Sequence, residues 1–229
     1  GEWLNAKRQL GRPDGFFWTW TQCHTQIPYN KKFLGATDKR KWIPSRFPDG
    51  DHLRLIAGHS ISAGCRGLMW FVMRYFQADH AGRDRYARAS IIGCELDVVG
   101  PLIAQGRTSA RLRTSDPTVW ATPIDFPGGR LICLVKTGDV YHYQIDRAEV
   151  RDLRVDVGAQ GDVYQIGYDF KKLAKPECSF ALTSWLLVTE DAGLVDRLKS
   201  KHRAVQADMR EFCLEELRAR MDKTEPVFK

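Results

Sequence analysis

Side chains able to do chemistry are thinly spread along this chain, but a few fall close together. His24 follows Cys23, a pairing that would suit a thiol–imidazole dyad. Neighbouring strand residues point to opposite faces, so the two meet only if the strand has already ended. Asp79 and His80 stand side by side after an apolar run. They would suit an acid/base pair or donors to a sugar, against the alternative of a solvated loop. Arg74 could clamp a hydroxyl or carboxylate, or else close an internal salt bridge. Trp18, Trp20 and Trp70 could stack on sugar rings or fill a core; Trp20, nearest its strand end, is the serious stacking candidate. Residues 31–42 mix Lys31, Lys32, Lys39, Arg40 and Lys41 with Phe33 and Trp42, which suits a phosphate backbone or an acidic polysaccharide. The competing reading is an ordinary soluble loop. No nucleic-acid motif accompanies it, so nucleic acid is a disfavoured partner.

The elements that must position these residues follow from spacing. Leu53, Ile56, Ala57, Ser60, Ile61 and Gly64 fall at helical intervals. Asp49 or Asp51 can cap the start of that helix, and Gly64 can take the left-handed conformation at its end. Leu68-Met69-Trp70-Phe71-Val72-Met73 is an unbroken apolar run that closes on Arg74. It reads as a strand buried on both faces, as in a parallel sheet covered by helices. Upstream, residues 16–21 are aromatic and β-branched and read as another strand. Residues 22–50, with Pro28, Pro44 and Pro48, form a long irregular stretch, usually functional or flexible. Residues 77–83 read as a polar loop. Ala89, Ile92, Leu96, Val99 and Ile103 then give a second helical stripe, with Pro101 in its last turns and Gly106 at its end.

Strand, helix, strand, helix makes two consecutive β/α units. In such sheets chemistry lies beyond the carboxyl ends of the strands. Trp20, Gln22, His24, Arg74, Asp79 and His80 are therefore the expected substrate-binding set. A closed barrel has eight units, and two leave a bare sheet edge. Either an upstream segment or a partner chain is expected to complete it. The chain starts at Gly1 rather than Met, as expected if something upstream was removed or left out.

One stretch carries a family resemblance. Leu53-Arg54-Leu55, then Ala63-Gly64-Cys65-Arg66-Gly67, then the apolar strand ending at Arg74, resembles the last helix–strand unit of the family 42 β-galactosidases. The similarity runs without a gap from about Asp51 to Arg74. It implies a TIM barrel of the retaining glycoside hydrolase clan. Such enzymes set an acid/base carboxylate and a nucleophile carboxylate across the scissile bond. In the family the nucleophile is a glutamate ending the seventh strand, followed by a glutamine. Here Gln22 matches the glutamine, and Thr21 stands at the nucleophile position. A threonine hydroxyl has no charge to stabilise an oxocarbenium-like centre. The acid/base glutamate belongs to the fourth strand, which this chain does not contain. The resemblance implies a scaffold that acts on or binds carbohydrate, with no hydrolysis expected of this portion alone. A non-catalytic carbohydrate-binding or assembly component, and a basic polyanion-binding module, are the alternatives.

From Thr108 the texture changes. Val119-Trp120-Ala121-Thr122, Leu131-Ile132-Cys133-Leu134-Val135, Val163-Tyr164-Gln165-Ile166 and Ser184-Trp185-Leu186-Leu187-Val188 are short runs separated by Gly, Pro and Asp. They predict an antiparallel sandwich, with hairpin turns at Pro127-Gly128-Gly129 and Thr137-Gly138-Asp139. Residues 192–222 read as a final amphipathic helix. Leu194, Leu198, Val205, Met209, Phe212, Cys213 and Leu217 form its stripe.

The expected fold is thus α/β plus all-β. A partial (β/α) barrel covers 1–107, a small β-sandwich 108–190, and an amphipathic helix 191–229. With 229 residues, 43% of them hydrophobic, the chain can bury one or two cores. No run suits a membrane span or signal peptide. The net charge of +7 is modest and points only weakly to an anionic partner. Cys23, Cys65, Cys94, Cys133, Cys178 and Cys213 contain no CxxC pair, and zinc-ribbon spacing is absent. Buried free thiols are favoured over a disulfide framework, and no metal or cofactor is expected. Glu95 and Asp97, on the second helix, read as structural. The compartment is open, with extracytoplasmic slightly favoured over cytoplasmic.

Overall fold

The computed structural model describes residues 18–22, 49–71, 82–137, 145 and 147–222. It is a mixed structure of helices and mainly antiparallel sheet, with a long helix near the carboxyl terminus and no closed barrel among the described residues.

The first part contains β1 (Trp18–Gln22), α1 (Gly50–Ser62), β2 (Gly67–Phe71) and α2 (Gly82–Gln105). β1 and β2 pair in parallel, with Thr19 opposite Leu68, Thr21 opposite Trp70 and Gln22 opposite Phe71. Asp49 is the N-cap of α1. Its carboxylate accepts the His52 backbone N–H at 3.1 Å, while its own N–H donates to His52 Nδ1 at 3.3 Å. At the other end Gly64 N–H donates to Ile61 O at 2.7 Å and Cys65 N–H to Ser60 O at 3.0 Å. Gly64 sits at φ +88°, where a Cβ is penalised, so the helix stops there as its sequence predicts.

α1 is buried on two sides rather than along one stripe. Leu53 and Ala57 pack with Ala89 and Ile92 of α2 and with Leu68 and Trp70 of β2. Leu55 and Ile61 face the larger sheet. Gly58 lets that helix come close. A Cβ there would lie 2.8 Å from Thr183 Cγ2 and 2.9 Å from Val135 Cγ2. Strand β2 departs from expectation. Leu68 and Trp70 pack toward the helices, but Met69, on the opposite face, is 46% exposed. α2 also starts earlier than predicted. Gly82 and Arg83 belong to the helix, and Arg83 pairs with Glu215 and Asp222 near the far end of the last helix.

A six-stranded sheet follows, in the order β3-β4-β5-β10-β7-β8. Its strands are β3 (Arg107–Thr108), β4 (Val119–Phe126), β5 (Gly129–Lys136), β7 (Asp162–Ile166), β8 (Phe170–Leu173) and β10 (Thr183–Thr189). β6 (Val150–Arg154) and β9 (Glu177–Phe180) form a separate antiparallel pair. The four runs read from the sequence as strands lie in β4, β5, β7 and β10. The β4–β5 hairpin turns at Pro127-Gly128 as predicted. Positions 138 and 139 of the second expected turn lie outside the described residues.

β5 and β10 are covered on both faces, which explains their continuous apolar runs. Leu131, Cys133 and Val135 on β5, with Trp185 and Leu187 on β10, face α1, α2 and the last helix. Ile132, Leu134, Leu186 and Val188 face the β6–β9 pair, through Leu153, Cys178 and Phe180. Each fully buried side chain of this size contributes about 1.5–3 kcal/mol.

The last helix, α3 (Ala192–Asp222), has the bounds the sequence predicts. Asp191 Oδ1 accepts the Leu194 N–H at 2.9 Å and caps it. Leu194, Val195 and Leu198 pack on the sheet, and Met209 is buried at 1% exposure. Leu217 does not belong to the buried stripe: it is 58% exposed. Glu216 and Ala219 take the buried positions there instead. No helix among the described residues is long and apolar enough to cross a membrane.

Candidate functional site

Two places in the fold are candidates. The first is the shared carboxyl end of β1 and β2. The in-register pairing brings the backbones of Thr21 and Gln22 beside those of Trp70 and Phe71. Trp20 also lies on β1, opposite Met69. His24, Arg74, Asp79 and His80, and the whole basic and aromatic stretch at 31–42, lie outside the described residues. Glu95, read as structural, is 6% exposed. Its carboxylate accepts from Arg54 Nη2 and, at 3.4 Å, from Trp185 Nε1, which ties α2 to α1 and the sheet.

The second place is a charged cluster that the sequence did not reveal. It gathers the first turns of α1 and α2, the last turns of α3, and Arg147 ahead of β6. Arg147 Nε donates to Asp51 Oδ2 at 2.6 Å and its Nη2 to Asp49 Oδ2 at 2.5 Å. Arg220 Nη2 donates to Asp51 Oδ1 at 2.8 Å and to Glu216 Oε1 at 2.7 Å, and its Nε reaches Asp84 Oδ1 at 3.0 Å. Arg88 donates to Glu216 Oε1 through Nε at 2.9 Å and Nη2 at 2.6 Å. Asp84 Oδ2 accepts the Gly50 N–H at 3.0 Å, so one helix start caps another. Carboxylates at the starts of α1 and α2 and a guanidinium at the end of α3 also match the helix dipoles.

Burial alone would raise the carboxyl pKa values here. For Asp49 the His52 hydrogen bonds and the Arg147 charge outweigh burial and hold the carboxyl well below its usual range. Burial is likewise outweighed at Asp51 by hydrogen bonds from Arg147 and Arg220, so its pKa is lowered. Arg220 is raised against its own burial by the Asp51 carboxylate. All three stay charged through the neutral range. A cleft of about 390 Å³ opens beside the cluster. Asp51, Arg88, Arg147 and Arg220 line one wall, and Gln165 and Tyr168 line part of the sheet side.

Other titratable groups are structural in character. His59 meets the Trp120 ring edge-on at 5.1 Å, and burial lowers its pKa to about 4. Burial pushes the Cys133 thiol up to about 12. Cys65, Cys133 and Cys178 are buried, and Cys94 and Cys213 are partly buried. Cys23 lies outside the described residues. Among the described residues no group of three or more His, Cys, Asp or Glu is arranged to hold a metal.

The cluster was missed for a physical reason. Its directly bonded members are separated by up to 169 positions, as Asp51 and Arg220 are. Each alone looks like a helix cap or a solvated charge. The available signal was weak: Asp51 and Asp84 each fall in the first turn of a predicted helix. Comparisons with protein families, characterised proteins and solved structures return no match.

Proposed function

We propose that this chain is the C-terminal portion of a glycoside-hydrolase-like protein that acts on or binds carbohydrate at the carboxyl ends of β1 and β2. The observation that supports this reading best is the parallel, in-register pairing of those strands, with α1 between them in sequence. That pairing is what two consecutive units of a β/α barrel require. The half-exposed Met69 on the face away from the helices suits a sheet that further strands complete, from an upstream segment or a partner chain. In this reading the six-stranded sheet with its β6–β9 cover is the sandwich that follows the barrel. The charged cluster pins the last barrel units to it.

Thr21 at the nucleophile position removes the carboxylate that retaining hydrolysis uses. The role that remains for this end of the chain is to position a sugar, with Trp20 as a stacking face and Gln22, His24, Arg74, Asp79 and His80 as hydrogen-bonding groups. Calorimetric titration of the chain with neutral galacto-oligosaccharides tests the reading. Binding without hydrolysis, weakened by Trp20→Ala, is the expected result. Absence of saccharide binding, or binding indifferent to Trp20→Ala, removes the strand ends as the site.

A further inference from the structure

The cleft beside the charged cluster takes none of its described lining from β1 or β2, and the charges that line it set what it can hold. Arg54 on α1, Arg88 on α2, Arg220 on α3 and Arg147 ahead of β6 all belong to the lining. Asp51 is the one carboxylate there among the described residues. Four guanidiniums against one carboxylate give the lining a formal +3. The other carboxylates that hold these arginines stand outside it. They are Asp49, Asp84, Glu95 and Glu216, the last three buried at 1%, 6% and 6% exposure. They fix the guanidiniums in place, but the Coulomb interaction falls with distance, so a ligand in the cleft meets the lining charges first.

Arg54 adds a second observation. Its side chain is 12% exposed and bonds Glu95 through Nη2, while its Nη1 is buried with no hydrogen-bond partner among the described residues. A buried guanidinium donor left unmet is costly, and native structures commonly answer such a group with water or an ion. Nη1 is closed to solvent, so it acts on a ligand through its field rather than by contact. Arg147 and Arg220, at 53% and 38% exposure, are the accessible members. The rest of the lining is made by Gln165, Gly167, Tyr168 and residues 179–184, and carries no carboxylate to repel an anion. The Gln165 amide nitrogen is committed to the Ser179 carbonyl and the Ser184 hydroxyl, so the guanidiniums select the ligand.

Charge and anchoring together favour a dianion over a carboxylate. The guanidiniums are carried by four separate parts of the chain. A phosphoryl group offers them three acceptor oxygens and about two negative charges, where a carboxylate offers two coplanar oxygens and one charge. We propose that this cleft, where α1, α2 and α3 meet β7 and the approach to β10, binds the phosphoryl group of a small phosphate monoester. Arg147 and Arg220 contact it, and Arg54 and Arg88 strengthen the field. The volume of about 390 Å³ leaves room for a sugar-sized remainder. The site does not rest on the strand-end reading.

The test is a calorimetric titration of the full chain with ribose 5-phosphate, inorganic phosphate, succinate, acetate and neutral ribose, at low and high salt. Ribose 5-phosphate is expected to bind ahead of succinate and acetate, more weakly at high salt, with ribose silent. Arg147→Gln weakens it by about tenfold. Arg151→Gln removes the same charge from a 77% exposed position outside the lining and leaves binding unchanged. Asp51→Asn removes the lining carboxylate that competes for Arg147 and Arg220, so it tightens binding, an outcome that a purely structural role for Asp51 does not produce. Inorganic phosphate raises the melting temperature of Asp51→Asn by more than that of the parent chain. Binding of ribose 5-phosphate weaker than about 1 mM overturns the proposal. So does equal loss in Arg147→Gln and Arg151→Gln, which marks diffuse surface charge, or succinate binding as well as the phosphate ester, which removes the phosphoryl assignment.

Discussion

Asp51→Asn is the most informative perturbation of the charged cluster. The Asp51 side chain is 5% exposed and receives Arg147 and Arg220 at 2.6 and 2.8 Å, with Arg88 at 3.5 Å. The amide keeps the shape but removes the charge that compensates these guanidiniums. Removing one partner from a fully buried ion pair costs about 3–5 kcal/mol. Here Arg147 is 53% and Arg220 38% exposed, so water recovers part of that cost. The expected loss is about 2–3 kcal/mol. For a chain of this size that lowers the melting temperature by about 5–10 °C. Urea unfolding followed by tryptophan fluorescence reads the free energy, and calorimetry reads the midpoint. A cycle with Arg220→Met isolates the pair. The double variant should be less destabilised than the two single losses added, by at least about 1 kcal/mol. A loss below about 0.5 kcal/mol for Asp51→Asn would refute the reasoning, because it would place the cluster among ordinary surface pairs.

Further outcomes follow from the same packing and electrostatics. His59 is held neutral, with its pKa lowered from 6.5 to about 4 by burial, so the unfolded chain binds the extra proton. Its contribution, up to about 3 kcal/mol, is complete above pH 6.5 and lost as pH falls toward 4; His59→Gln should flatten urea-midpoint profiles in that window. Asp49 and Asp51 have pKa values below their ordinary 3.8, so the stability they add is present above that value and lost on further acidification. Acid unfolding of Asp51→Asn should be correspondingly shallower. Gly58→Val forces a side chain against Thr183 and Val135 and should cost about 1–3 kcal/mol by chemical denaturation. Cys133, with its thiol pushed up to about 12 and its side chain at 0% exposure, should resist alkylation in mass spectrometry until the chain unfolds.

Local signals carried much of the fold. The cap and the left-handed glycine bounded α1, and short apolar runs set apart by Gly, Pro and Asp located β4, β5, β7 and β10. The apolar stripe and its polar flanks defined α3 at both ends. These features depend on neighbours in sequence, where periodicity and capping act directly. Three details depended on distant neighbours and were not legible. Leu55 is buried because α1 is wedged between α2 and the large sheet. Leu217 is exposed because the facing side of α3 there is occupied by Glu216 and Arg220, held by partners on α1 and α2. Met69 is exposed because β2 carries helices on one face only among the described residues. The charged cluster is the extreme case, since no short window contains both ends of any of its pairs between different helices.

The most direct measurement is the backbone and indole NMR spectrum of the chain as a neutral galacto-oligosaccharide is added. Shifts centred on Trp20, Thr21 and Gln22 and their strand partners Trp70 and Phe71 are the predicted result. A spectrum in which those five signals stay still at saturating sugar would contradict a carbohydrate-facing end at β1 and β2.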